Sequence, residues 1–469
     1  MHLLSISASW RTVAIVAALA SCPLRVVAGP AEATEATEPN EEAKAAEPDD
    51  DDAGKSAPMT DEHDVADVSA GPGEPNRLWG VELPERLGPA YLDAGAGQVR
   101  LGLVGQFRLE LISAELPSGR EGDVLVLIRR LRTVIAGRFL EDRIRFAVQA
   151  NSTPGNFELV DFWIDLLLLR TLRLRLGQFK IPLDWYRQQS FARLLLADWS
   201  LTTSWFGAER QFGLMVYDAD STAGGFDYRL GVFTGQNRRA GHAFQLPRLY
   251  GEPVLNPSSV DGIGEVDAVH PEVIGTIRRT SPGFSDASLS DRQGGPLRTL
   301  FAVSAAYDAQ PEEARDFTAR FSAEAWMKLH HVSLVALAYA GLVERTQQND
   351  IIFGNAGVNF QAGYRFTPHW ELAFRYAYIQ LSRALSDDAR DRAQALLEEA
   401  ATPEAQSELS LQLSGAGELR WQHELLVGFT FFLIGHSLKW QTDAGWLHNE
   451  FRSRSAENVR MRTQIQLAF

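Results

Sequence analysis

From Gln98 to the C-terminus, apolar and polar residues alternate one for one over long stretches. Val99, Leu101, Leu103, Phe107, Leu109 and Leu111 fall between Arg100, Gln106, Arg108 and Glu110. Val358, Phe360, Ala362, Tyr364 and Phe366 fall between Asn359, Gln361 and Arg365, and the chain ends on Val459, Met461, Thr463, Ile465, Leu467 and Phe469 against Arg460, Arg462, Gln464 and Gln466. A period of two is the signature of a strand with one apolar and one wet face. The runs are about 10–14 residues long. That is the length a tilted strand needs to cross a bilayer, whereas strands in soluble proteins are typically about five or six residues.

The pattern predicts sixteen strands, beginning near residues 98, 123, 142, 157, 171, 210, 225, 272, 298, 316, 332, 355, 370, 421, 437 and 459. For the eighth, a strand at 245–254 competes with 272–281, and the second is preferred because it avoids a long excursion on the short-turn side. Tight turns around Leu140, Leu169, Ser221, His330, Pro368 and Gly435, with a longer one at 282–297, alternate with excursions at 181–209, 235–271 and 382–420. Short turns on one side and long loops on the other are the asymmetry of bacterial outer-membrane barrels. The expected fold is therefore all-β, a transmembrane antiparallel β-barrel of about sixteen strands over residues 97–469, preceded by a disordered acidic segment.

The N-terminus fits an exported protein. Residues 1–28 read as a signal peptide, with Arg11, a short apolar stretch and small residues near Ala28. Leu19-Ala20-Ser21-Cys22 also has the shape of a lipoprotein box, so ordinary cleavage and lipidation at Cys22 both remain open. Because Cys22 is the only cysteine, the mature chain has no disulfide. No apolar run is long enough for a spanning helix.

The net charge of −15 changes meaning once it is divided. Residues 30–75 hold 15 Asp and Glu against two Lys, or −13, and Arg11 and Arg25 before them add +2, which leaves only −4 for residues 76–469. A segment so charged and so poor in large apolar residues cannot bury a core, and 29–96 is expected to be a disordered periplasmic segment. Within it, Gly54-Lys55-Ser56 resembles the end of a phosphate loop, but Asp49 stands where that motif needs its first Gly. The run Asp49–Asp52 reads as a solvated acidic stretch rather than a calcium site.

Taking the face opposite the apolar stripe as the lumen puts Arg100, Arg108, Arg130, Arg132, Arg143, Arg145, Arg173, Arg175, Arg229, Arg278, Arg320, Arg365, Arg375, Lys439, Arg460 and Arg462 inside. The same rule places Glu110, Asp161, Asp165, Asp227, Glu324, Glu371, Glu424 and Asp443 there. Basic residues lining a narrow channel favour anions, because the low-dielectric wall focuses their field. The alternative is that these charges pair across strands and only hold the wall. Arg129-Arg130 is a separate problem, since neighbours on a strand face opposite ways and an Arg facing lipid costs roughly 2–4 kcal/mol. A bulge that turns both inward solves it; snorkelling of Arg129 to the headgroups is the other solution. In the excursion 181–209, Arg187, Arg193 and Arg210 are constriction candidates, with Trp185, Trp199 and Trp205 packing the loop down and "FARLLLADWSL" forming a short amphipathic helix.

Several stretches resemble the phosphate-selective porin O and P family. "LRLRLGQFKIPLDWYRQQS" (Leu172–Ser190) carries its Gly-Gln-Phe-Lys-x-Pro signature, "LIRRLRTVIAGRF" resembles its Arg-Arg strand, and "LVDFWIDL" resembles its acidic-aromatic strand. Later hairpins, "ERQFGLMVY", "YRLGVFTGQN", "VNFQAGYRFTPHWELAFRYAYI" and "HELLVGFTFFLIGHSLKWQTD", follow in the family's order. The resemblance implies a homotrimeric sixteen-stranded porin in outer-membrane lipid, a third loop that narrows the pore, and passage of small anions such as phosphate or polyphosphate. It departs from a phosphate selector in that the barrel has only Lys180, Lys328 and Lys439, none of them inside the third loop.

The pore-lining, anion-binding candidates are Arg129, Arg130, Arg132, Arg173, Arg175, Arg187, Arg193, Arg320, Arg375 and Asp161. Phe469, closing the last strand, is expected to be a signal for barrel assembly. An enzyme is disfavoured: His330-His331 fall in a turn, His369, His423 and His436 are scattered, and no nucleophile elbow appears. Nothing calls for a cofactor or metal, and no basic patch outside the lumen suits nucleic acid. A general non-selective porin, or a barrel that anchors the acidic segment for a partner, are the remaining alternatives.

Overall fold

The alternation resolves, in the computed structural model of the chain, into a ring of strands hydrogen-bonded in sequence order. The structure describes residues 97–116, 119–153, 156–207, 210–219, 225–235, 271–284, 288–309, 317–345, 350–399, 403 and 418–469, and, before residue 97, the pieces 77–78, 81–82 and 90–93. The strands are β1 (Gly97–Leu116), β2 (Gly119–Phe139), β3 (Ile144–Thr153), β4 (Asn156–Leu169), β5 (Leu172–Lys180), β6 (Arg210–Asp218), β7 (Gly225–Phe233) and β8 (Glu272–Thr280). They continue as β9 (Arg298–Asp308), β10 (Phe317–Leu329), β11 (Val332–Arg345), β12 (Asp350–Arg365), β13 (Trp370–Leu381), β14 (Leu419–Ile434), β15 (Leu438–Phe451) and β16 (Ser455–Ala468). Each pairs antiparallel with the next, and β16 returns to β1 to close the barrel. All sixteen expected strands are present, and the eighth is the one at 272–280. The competing segment 245–254 lies outside the described residues, as do the expected signal peptide, Cys22 and most of the acidic segment.

Strand length exceeds the expectation in places. β1 and β2 run to 20 and 21 residues, more than a bilayer requires. Three short pieces of the segment expected to be disordered are strands: Arg77–Leu78 pairs with Val81–Glu82, and Ala90–Asp93 pairs with Gln98–Leu101 of β1. The reason for the last pairing lies at the seam. β16 covers β1 only from Val104 to Ser113, and Phe469 exchanges two backbone hydrogen bonds with Leu103 (2.9 and 3.0 Å). The first residues of β1 would otherwise present unpaired amides and carbonyls, and the short strand satisfies them.

The outer face is apolar. Val126, Leu214, Leu230, Val303, Leu372 and Val427 are all exposed on it. Rings gather at both ends of the strands, as in an interfacial girdle. Trp370 lies 4.7 Å from Phe431 near the tight turns, and Trp421 lies 4.8 Å from His448 near the long excursions. Two adjacent positive φ angles, 46° at His330 and 69° at His331, form the mirror-image geometry of a two-residue hairpin, so these histidines are turn residues. Arg143, expected in the lumen, is exposed in the turn ahead of β3, because the chain reverses before its parity can take effect.

The register shifts between Gln106 and Phe107, skipping Arg129: Ile128 pairs with Phe107 and Arg130 with Gln106. This is the expected bulge. It switches parity between two adjacent arginines so that both side chains enter the lumen.

Candidate pore constriction

The excursion between β5 and β6 folds back into the barrel, and almost all of residues 181–206 are buried. Short polar residues punctuate it. Asp184 caps a one-turn helix, α1 (Trp185–Gln188), by accepting from the Arg187 amide; Ser190 caps a 3-10 turn at Phe191–Arg193; Ser200 caps α2 (Leu201–Phe206) by accepting from the Thr203 amide at 3.1 Å. The helix expected over "FARLLLADWSL" does not form: Leu194–Ser200 lies outside any helix. Wall side chains supply the partners a helix would have provided. Gln466 Nε2 donates to the Ala192 carbonyl (3.1 Å), Gln441 Nε2 to those of Leu194 and Leu195 (3.2 and 2.9 Å), and Asp443 accepts from the Ala197 amide (2.9 Å). Glu324 accepts from the amides of Trp185 and Tyr186, and Glu424 from that of Leu201.

Glycine on the wall makes room for this loop. A Cβ at Gly363 would come within 2.8 Å of Leu195, and one at Gly357 within 2.6 Å of the Phe206 ring.

The tip of the loop carries Asp198, and three guanidiniums converge on it. Arg130 Nη2 reaches Oδ1 at 3.0 Å, Arg129 Nη2 reaches Oδ2 at 3.0 Å, and Arg108 Nη1 reaches Oδ2 at 3.1 Å. Burial pushes the Asp198 carboxyl up, but Arg130, Arg129 and Arg108 outweigh it and hold it well below the usual carboxylate range. A carboxyl with a depressed folded pKa stabilises the folded state above the unfolded value of about 3.9 and loses that contribution as pH falls through the folded value. The loop tip should therefore stay seated when pH is lowered to about 4 and be released only in stronger acid. Protease cleavage within 181–209, followed against pH, checks this; release between pH 6 and 5 would contradict it.

Of the other sequence-named residues, Arg375 also reaches the loop tip, donating to the Asp198 carbonyl at 2.7 Å, while most of the rest pair elsewhere. Asp161 pairs with Arg210 (2.7 Å), Arg175 with Asp165 (3.2 Å), Arg173 with Asp142 (2.7 Å), Arg375 with Glu424 (3.2 Å) and Arg320 with Glu272. Arg130 and Arg132 lie over the ring of Phe191 at 4.9 and 4.7 Å, and Arg187 lies over Trp199 at 4.8 Å. Arg193 is buried and its carbonyl accepts from the Leu289 amide at 3.4 Å.

That last contact was not legible in the sequence. The sequence predicts a somewhat longer turn at 282–297 between β8 and β9, yet Ser288–Asp291 is buried. Ser288 Oγ lies 2.8 Å from His436 Nε2, and Arg298 pairs with Asp291 at 2.7 Å. Serine, aspartate and glycine read as turn residues whether they face water or a polar lumen. Asp184, Asp198 and Asp291, brought in by connections, also narrow the basic excess: among the described residues, 18 buried Arg and Lys face 14 buried Asp and Glu.

The architecture is similar to that of solved outer-membrane channels. The anion-selective porin from Comamonas acidovorans matches with a TM-score of 0.50 at 11% identity, over 80% of this chain and 100% of its own. The outer membrane channel DcaP of Acinetobacter baumannii matches at 0.50 and 10% identity, over 82% and 100%. OprB of Pseudomonas putida matches at 0.51 and 12% identity, over 80% and 94%. No family model and no curated protein matches the sequence. The chain is a closed sixteen-stranded antiparallel β-barrel with the fold of the outer-membrane porins.

Proposed function

We propose that the barrel is a passive diffusion channel of the bacterial outer membrane whose constriction favours small anions. The observation that carries this reading is the loop tip, where Arg108, Arg129 and Arg130 surround the single carboxylate of Asp198. A surplus of positive charge on a low-dielectric wall beside the lumen acts strongly on an ion that passes it. The resemblance to phosphate-selective porins extends the reading to phosphate and to a homotrimer. A general porin is the second reading, favoured by the pairing of Arg173, Arg175, Arg320 and Arg375 with wall carboxylates. The reversal potential of the wild-type channel in a KCl gradient separates the two. An anion-selective sign is expected, and a channel that prefers potassium leaves only the general porin.

Residues 1–28 serve in this reading as the export signal and 29–96 as a periplasmic segment. Phe469 is read as the assembly signal. Its backbone closes the seam against Leu103, so deleting it removes two hydrogen bonds at the point where the barrel shuts. The deletion should lower the yield of the heat-modifiable, assembled form severalfold, as seen by gel mobility before and after heating. Unchanged yield would remove Phe469 from that role.

A further inference from the structure

We infer that the Arg108–Arg129–Arg130 cluster is a binding site for small carboxylates, which Asp198 occupies as a tethered internal ligand that permeating carboxylates displace. The inference rests on the anion-channel reading above and deepens it.

The cluster is shaped for a planar, two-oxygen anion. Oδ1 of Asp198 accepts from Arg130 Nη2 and from the Trp199 amide, at 3.0 and 3.1 Å. Oδ2 accepts from Arg129 Nε and Nη2 at 3.3 and 3.0 Å, and from Arg108 Nη1 at 3.1 Å. Each oxygen thus accepts at least one charge-assisted hydrogen bond from a guanidinium, the stronger class of hydrogen bond to a carboxylate. Arg108 and Arg130 are themselves anchored to the wall. Arg108 donates to Gln464 Oε1 of β16 at 2.8 Å, and Arg130 donates to Gln106 Oε1 of β1 at 3.1 Å. They would hold their places if the carboxylate left.

Exposure shows which partners can exchange. The side chains of Asp198 and Arg129 are 13% and 14% exposed, against 2% for Arg108 and 6% for Arg130. A carboxylate arriving from the lumen therefore meets Arg129 first, with Asp198 beside it. Three guanidiniums meet Asp198, with Glu110 as a second carboxylate farther off, 3.9 Å from Arg108, so an incoming carboxylate enters a site that still favours anions before Asp198 moves away. A tethered ligand lowers the apparent affinity for a free one by the fraction of time it leaves the site open. It also keeps the arginines from trapping a permeating anion, which a conducting pore requires.

The test uses the full-length protein in planar bilayers. Chloride current is recorded while potassium acetate, a close chemical match to the aspartate side chain, is titrated at fixed ionic strength. In Asp198→Asn the half-blocking acetate concentration should fall about tenfold or more relative to wild type, a change of about 1.4 kcal/mol per factor of ten. Perchlorate, a tetrahedral monoanion, should gain far less. Arg129→Gln, made in the otherwise wild-type channel, should raise the half-blocking acetate concentration severalfold, and it provides the test if the Asn variant fails to assemble by heat-modifiable mobility. Equal acetate block in wild type and Asp198→Asn, with chloride selectivity intact, overturns the internal-ligand proposal while sparing the anion-channel reading. Equal gains for acetate and perchlorate overturn the carboxylate assignment. Block unaffected by Arg129→Gln overturns the site, and a potassium-preferring wild type overturns both readings.

Discussion

Replacing Arg375 with leucine is expected to destabilise the barrel by about 3–5 kcal/mol, the usual cost of leaving a buried charge without its partner. Arg375, on β13, is fully buried. Its guanidinium donates to Glu424 Oε1 at 3.2 Å, to the carbonyls of Trp199 and Asp198 at 3.0 and 2.7 Å, and to the Tyr186 hydroxyl at 3.2 Å. It therefore ties two parts of the inward loop to the wall at once. Leucine fills much of the space but satisfies none of those acceptors, and it leaves Glu424 with the Leu201 amide as its partner in the loop. The midpoint of urea unfolding, read by heat-modifiable mobility, should fall clearly. Single-channel conductance should rise, because the loop tip loses a main anchor. A midpoint within about 1 kcal/mol of wild type would mean that the loop is held chiefly by the glutamines and carboxylates of β14–β16.

The second large effect is expected from reversing charge at Arg130 and Arg132 together. Each Arg→Glu change moves the local charge by two, so the pair moves it by four beside a carboxylate that already carries one negative charge. Arg130 supplies a direct ion pair to Asp198, and both residues lie over Phe191. Glutamate at 130 would face Asp198 across a distance that like charges tolerate poorly in a partly desolvated site. The reversal potential in a KCl gradient should change sign or fall close to zero, and the loop tip should become accessible to protease. The same change at Arg454, in the turn between β15 and β16, should leave the reversal potential nearly unchanged. If the double reversal leaves the selectivity as it was, the charge that sets it lies elsewhere in the lumen.

The bulge at Arg129 illustrates how far residue types alone can carry a structural argument. Two adjacent arginines inside a strongly alternating run are incompatible with a regular strand in lipid, so a parity switch is required, and the register shift falls there. The destination of those arginines was not legible in the same way. Their partner, Asp198, sits in a stretch that looks helical by its spacing and adopts no helix once the wall offers hydrogen bonds to its backbone.

What the sequence determines by itself is the barrel: the number and order of strands, and which face of each meets lipid or lumen. These follow from a period of two, a property of the local backbone that every residue reports independently. What only the tertiary structure decides is how the lumen is filled. Arg108 meets Asp198 across 90 positions, and the Ala197 amide meets Asp443 across 246. Whether an inward arginine meets a wall carboxylate, a loop carboxylate or a passing anion depends on where two connections fold back. Inside a polar lumen their polar residues satisfy one another, so nothing in their composition distinguishes them from loops that stay in water.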